Sequence, residues 1–160
     1  MQRRKRLSSK ETGERMACGD SLWRLETSLD SRLGAHLAVV SEVVSALHSR
    51  GWCEGEIFGI QLALEECFTN AVRHGNKQDG RKRVHVQCEV SGERFWAEIR
   101  DEGTGFRPDD VPDPTDEENL TAVGGRGLLL IRAYMTEVCY KGHGNCVTLL
   151  KLQNGSRDAS

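Results

Sequence analysis

The chain has 160 residues, of which 38% are hydrophobic, and this size and composition favour one domain with a single core. Its formal net charge of -2 gives no bulk electrostatic attraction to nucleic acid, and no apolar run approaches the roughly 18 residues of a membrane helix. No signal-peptide pattern opens the chain, so we expect a cytoplasmic protein without direct contact to nucleic acid or membrane.

The first half of the chain predicts a tail, a strand and a helix. Residues 1–20 combine basic and polar side chains and predict a flexible basic tail, with a nucleic-acid-binding arm as the less favoured alternative. Residues 23–29 alternate weakly and predict a strand. Apolar residues at helical spacing from Leu33 to Leu47 then predict a helix, with Ser31 as its N-cap and Gly51 as its end.

A second helix is predicted from about Glu54 to Arg73. Its apolar positions recur at helical spacing and belong against a core. A carboxylate, an amide and two basic side chains share another stripe, because residues three and four apart stack along one helix face. These residues are Glu66, Asn70, Arg73 and His74. Taken alone, the segment is explained about as well by an ordinary amphipathic helix with a solvated side.

The second half predicts strands around a long loop. Alternation over residues 84–99, with a turn at 91–93, predicts a hairpin. Residues 106–123 lack periodicity and hold three prolines and six acids, which indicates a lid or a disordered insert. A short helix at 128–134, a strand at 136–140 and a last strand around 147–151 follow, before a flexible tail at 153–160. Together they predict an α/β (α+β) two-layer sandwich, with helices over one face of a mixed, mostly antiparallel sheet.

Six cysteines are scattered along the chain without a Cys-x-x-Cys pair. This spacing supports neither a metal site nor a disulfide framework, and several of the cysteines fall at apolar positions typical of small core residues.

Two glycine-containing segments carry candidate chemistry. Asp101 ends a predicted strand before Gly103 and Gly105, so its carboxylate could accept a hydrogen bond from an adenine amino group while the backbone turns close to the base. A common Asp-Gly turn is the plainer alternative. A second segment offers free amides and a positive charge to an anion at a helix start, although a flexible glycine joint would also explain its glycines. It contains Gly124, Gly125, Arg126 and Gly127.

Taken in order, Glu-x-x-x-Asn at 66–70, Asp-x-Gly-x-Gly at 101–105 and Gly-x-Gly-Leu at 125–128 resemble the ATP site of the GHKL superfamily. The chain has neither a P-loop nor the His-Arg-Asp and Asp-Phe-Gly signatures of eukaryotic-type kinases. The resemblance spans about residues 21–152. It implies a Bergerat-type ATP-binding domain with a lid at about 106–123, and ATP and Mg²⁺ as cofactors.

By this resemblance, Glu66 is the general base, and Asn70 offers its amide oxygen to Mg²⁺. Glu65 points about 100° away on the helix, so the role falls to Glu66. Asp101 is the adenine-specifying aspartate. Thr148 lies where related proteins place a hydroxyl near the adenine through water, with an ordinary strand threonine as the alternative. The other ATP-binding candidates are Arg73, His74, Gly103, Gly105, Gly124, Gly125, Arg126, Gly127 and Leu128.

Within the superfamily, a lone domain with Asn-Ala-Val-Arg-His-Gly and Gly-Gly-Arg-Gly-Leu is similar to the anti-sigma factor serine/threonine kinases of the RsbW and SpoIIAB type. This resemblance implies a homodimer that binds a sigma factor and phosphorylates a serine of an anti-anti-sigma protein with a STAS fold. One departure is Val123, where some members carry a basic residue that Arg73, Lys77 or Arg126 would have to replace. A non-catalytic ATP-binding regulatory module and a slow GHKL ATPase are the alternatives.

Overall fold

The computed structural model describes residues 21–104, 125–142 and 144–154, with residues 125–128 described as backbone. The predicted N-terminal tail, the predicted lid and residues 155–160 lie outside these ranges. The elements in chain order are β1 (Trp23–Asp30), α1 (Leu37–His48), α2 (Glu54–Asn70), a π-helical turn (Ala71–Gly75), β2 (Arg83–Val90), β3 (Arg94–Asp101), α3 (Gly125–Tyr134), β4 (Glu137–Lys141) and β5 (Cys146–Leu152). Over the described ranges, no helix has both the length and the apolar character needed to cross a membrane.

The strands form one five-stranded sheet in the order β1-β2-β3-β5-β4. The predicted α+β architecture is confirmed, but the prediction of a mixed sheet is wrong for the described strands, because every neighbouring pair is antiparallel. Two helices, α1 and α2, connect β1 to its antiparallel neighbour β2. Residue Arg83 at the start of β2 therefore lies opposite Asp30 at the end of β1.

The core lies between the sheet and the helices. Alternate residues of β2 and β3 are buried, as the period-two pattern predicts for a sheet with one covered face. From the helices, Leu47, Ile60 and Phe68 are among the largest fully buried side chains. Burying one such side chain contributes about 1.5–3 kcal/mol, so this layer fixes the position of α2 on the sheet.

The end of α1 follows the prediction, and its start does not. Gly51 has a φ of 78°, and its amide and that of Trp52 donate to the carbonyls of His48 and Leu47, which is a Schellman motif. At the other end, α1 begins at Leu37 without a side-chain cap, so the prediction that Ser31 caps it is wrong. Turns separate Ser31 from the helix, and its side chain is buried beside another segment of the chain.

Candidate functional site

The helix that carries the Glu-x-x-x-Asn motif, α2, changes its winding where the candidate residues lie. Regular α-helix ends at Asn70, and the amide of Asn76 then donates to the carbonyl of Ala71, five residues back, at 2.7 Å. Such π-turns occur frequently at functional sites. Arg73 and His74 lie on this wider turn and are exposed. The spacing of these two residues is therefore not that of the regular α-helical stripe that the sequence predicts.

The end of this helix meets Asp101 directly. A Cβ atom at Gly75 would overlap the Asp101 carboxylate, and one at Gly103 would overlap the carbonyl oxygen of Gly75. The amide of Gly103 also donates to Asp101 Oδ1 at 2.8 Å. The structure thus brings Gly75, five residues after the Glu-x-x-x-Asn motif, against the Asp-x-Gly-x-Gly motif. The glycines at 75 and 103 are required by close approach, and a simple Asp-Gly turn would not explain both of them.

Asp101 is only 8% exposed. Burial raises the pKa of its carboxyl group above the ordinary aspartate value, while the Gly103 amide and the charge of Lys82 act in the opposite direction. A carboxylate can accept about four hydrogen bonds, so the bond from Gly103 leaves acceptor capacity for a ligand. The arrangement suits a planar donor such as an amino group on a heterocycle.

The third motif lies at the start of α3, and the opposite end of this helix packs against α2. A Cβ atom at Gly59 would lie 2.6 Å from Cδ1 of Tyr134, so the C-terminal end of α3 packs near the beginning of α2. β4 then starts with Glu137 opposite Leu150, at the end of the sheet away from Asp101. α3 has 10 residues and is therefore about 15 Å long.

The first amides of a helix have no partner within the helix, so the Gly125 end of α3 offers free backbone donors. Arg126, Gly127 and Leu128 belong to the first turn of α3 as backbone, whereas Gly105 and Gly124 lie outside the described residues.

Glu66 and Asn70 lie one helical turn apart on α2, and both are partly exposed. Within the described part of the chain, neither side chain has a hydrogen-bonding or ionic partner. Glu65 differs, because it lies near His36 at the start of α1. Burial lowers the pKa of His36, and the negative charge of Glu65 opposes that shift. Glu66 projects about 100° further around α2 than Glu65, so it does not share this position beside His36.

Thr148 is not brought to the other candidates. It lies opposite Glu98 on one side and Cys139 on the other, and its hydroxyl donates to the Cys139 carbonyl at 3.5 Å. Along β3, Glu98 projects to the opposite face from Ile99 and Asp101, because side chains alternate. Thr148 therefore lies on the sheet face away from the helices, as an ordinary strand threonine would.

Sequence reasoning missed two asparagines next to Asp101. The amide of Asp101 donates to the carbonyl of Asn145 at 2.9 Å, and the Asn145 side chain donates to the Asp101 carbonyl at 3.3 Å. Asn76 bonds to the amide of Glu102 at 2.8 Å. Each asparagine directly follows a glycine, Gly75 or Gly144, which was the available signal.

Comparison with known proteins gives a consistent result. The family model described as "Histidine kinase-like ATPase domain" matches residues 30–151. The serine-protein kinase RsbW of Bacillus subtilis (strain 168) is 30% identical over 130 residues, covering 76% of this chain and 81% of the relative. RsbW of Staphylococcus epidermidis is 30% identical over 135 residues, covering 77% and 85%.

Among solved structures, the RsbU and RsbW domains of a Mycobacterium tuberculosis protein superpose with a TM-score of 0.54 at 20% identity. The likeness covers 81% of this chain but 32% of that longer one, and it concerns the fold alone. With the match over residues 30–151 and the relatedness to RsbW, the chain belongs to the histidine kinase-like ATPase domain family of the GHKL superfamily, alongside the serine-protein kinases RsbW.

Proposed function

We propose that this protein is an ATP-dependent serine kinase of a partner-switching system, which binds a sigma factor and phosphorylates a serine of an anti-anti-sigma protein with a STAS fold. The observation that carries the proposal is the contact between Gly75, on the π-helical turn that follows Asn70, and the buried carboxylate of Asp101. A homodimer and a cytoplasmic location follow from the family resemblance and belong to the same proposal.

In this proposal, Asp101 accepts a hydrogen bond from the adenine amino group, and the amide end of α3 binds the phosphates. Asn70 fits Mg²⁺, because its amide oxygen is a hard ligand and has no partner among the described residues. No cluster of three acids, histidines or cysteines in the described ranges could hold a metal alone, so phosphate oxygens and water would complete the shell. Bound Mg²⁺ would neutralise charge on the phosphates.

Glu66 then acts on the protein substrate. Its carboxylate accepts the proton of the serine hydroxyl as the serine oxygen bonds to the terminal phosphorus and the bond to the ADP oxygen breaks. Most of the rate enhancement in phosphoryl transfer comes from positioning and charge neutralisation, and a general base typically adds about 10²–10⁴-fold.

The experiment compares two neighbouring acids. The protein is incubated with γ-labelled ATP, Mg²⁺ and its cognate STAS protein, and label on serine is counted. We expect Glu66→Gln to lower transfer by at least about 10²-fold with little change in ATP affinity. Glu65→Gln, which makes the same chemical change on the α1 side, should transfer as wild type. Equal transfer by Glu66→Gln and wild type, or none by wild type with a verified partner, would contradict the proposal.

A non-catalytic ATP-responsive binding module is the second candidate. It is favoured by the absence of any lysine or arginine between Arg107 and Arg126, since some members of the family carry a basic residue shortly before the glycines that reaches the terminal phosphate or the partner. This candidate predicts that partner capture responds to nucleotide and that Glu66→Gln captures as wild type. Phosphate release without any protein partner would instead indicate a slow ATPase.

A further inference from the structure

Asn76 is the one fully buried amide side chain among the described residues, and it joins three other segments of the chain. Its Nδ2 donates to the hydroxyl of Ser31 at 3.1 Å and to the carbonyl of Arg83 at 3.0 Å. Its Oδ1 accepts the amide of Glu102 at 2.8 Å. Both donor hydrogens and the acceptor are therefore used, which a carboxylate or an apolar side chain of similar size could not achieve.

The bond to Glu102 acts on the orientation of Asp101. The amide of Glu102 is held by Asn76, and the next amide, that of Gly103, is held by Asp101 Oδ1 at 2.8 Å. Asn76, which follows the π-helical turn, thus fixes the peptide between Asp101 and Glu102 on one side. On the other side, Asn145 binds the backbone of Asp101. Gly75, directly before Asn76, packs against the carboxylate itself.

We propose that Asn76 is a positioning residue, which holds the Asp101 carboxylate in the orientation that distinguishes adenine from other bases. The inference rests on the proposed function, because it requires Asp101 to bind adenine. The hydrogen bonds of the Asn76 side chain then have separate roles. The bond to Ser31 anchors the turn before α1, and the bond to Glu102 sets the specificity of the site.

The test uses two variants that each lose contacts of this buried cluster. Asn76→Leu keeps a similar size but loses all three hydrogen bonds, including the one to Glu102. Ser31→Ala removes one of the three and leaves the Glu102 bond in place, so it serves as the matched control. Dissociation constants for ATP and GTP are measured by calorimetry at a temperature well below the midpoint of each variant's unfolding.

We expect Asn76→Leu to lower the preference for ATP over GTP by about tenfold, the size of one lost hydrogen bond. Ser31→Ala should keep the wild-type preference even where it lowers the unfolding temperature. If Asn76 had a purely structural role, its replacement would lower the affinities for ATP and GTP alike. The inference is overturned if folded Asn76→Leu retains the wild-type ratio, or if Ser31→Ala loses it to the same extent.

Hydrogen exchange keeps the inference testable if Asn76→Leu does not fold. In the wild-type protein, the Glu102 amide should exchange as slowly as the central amides of β3, because its acceptor is fully buried. Exchange at the rate of an open loop would overturn the inference. A wild-type protein that binds ATP and GTP equally would overturn the assignment of Asp101 to adenine together with it, whereas a retained ratio in Asn76→Leu affects Asn76 alone.

Discussion

Replacing Asp101 by asparagine exchanges one acceptor oxygen for an amide donor at almost constant size. The remaining oxygen can still accept the amide of Gly103, as Oδ1 does at 2.8 Å. The new amino group then takes the position that would face the amino group of adenine. Both groups are hydrogen-bond donors, so no bond forms between them. A hydrogen bond to a charged group contributes about 1.5–3 kcal/mol, so ATP affinity should fall by roughly 10–150-fold.

The same substitution should not destabilise the fold at neutral pH. Burial raises the pKa of Asp101 in the folded protein. The stability that goes with this shift is fully present below the ordinary aspartate pKa, and it is lost as the pH rises through the folded pKa. Asparagine does not titrate. Asp101→Asn should therefore be at least as stable as wild type at pH 7, and the difference should shrink in acid.

Calorimetry with ATP and thermal unfolding at pH 7 and in mild acid check both expectations. Asp79→Asn is the control, because the bond from Arg81 lowers the pKa of Asp79 to about 2. The stability from Asp79 is present above the ordinary aspartate pKa and is lost as the pH falls, so its replacement should have the opposite pH dependence without affecting ATP. Unchanged ATP affinity of Asp101→Asn would refute the assignment of this carboxylate to adenine.

Two further predictions concern packing and thiols. Gly59→Ala should lower the free energy of unfolding by about 1–3 kcal/mol because of its clash with Tyr134, whereas Gly55→Ala, with no atom within 4 Å, should raise it by about 0.4–1 kcal/mol. Urea unfolding of both variants checks this, and equal changes would contradict the packing of α3 on α2. A thiol reagent followed by mass spectrometry should label only the exposed cysteines of the described part in the native protein, since burial raises the pKa of Cys88 to about 12. The exposed ones are Cys53 and Cys139, and the protected ones are Cys67, Cys88 and Cys146.

Local patterns in the sequence were sufficient for most elements. The alternation from Val84 to Ile99 predicts both strands of the hairpin, because a sheet with one covered face imposes a period of two. Gly51 predicts the end of α1, because a left-handed backbone there costs glycine little. These signals depend on neighbours within a few residues, which the sequence alone supplies.

Ser31 and Thr148 were misassigned for reasons that lie far along the chain. Ser31 is a good capping residue by type, but its hydroxyl binds Asn76, 45 residues away. Thr148 lies in a strand that is apolar on both faces, so its sequence has no alternation to reveal which residues face the helices. Only the register with β3 decides this, and a shift of one residue would reverse it.

The glycines next to the site have a steric role that composition could not indicate. In sequence, Gly75 and Gly103 look like points of flexibility beside a helix and a strand. In the fold, each removes a side chain where two segments touch, since a Cβ at Gly75 would occupy the place of the Asp101 carboxylate. Asn76 then ties the same two segments by a buried hydrogen bond. Close packing at Gly75 and the hydrogen bond of Asn76 together restrict how the Asp101 carboxylate can be oriented, and a well-oriented acceptor is what discrimination between purine bases requires.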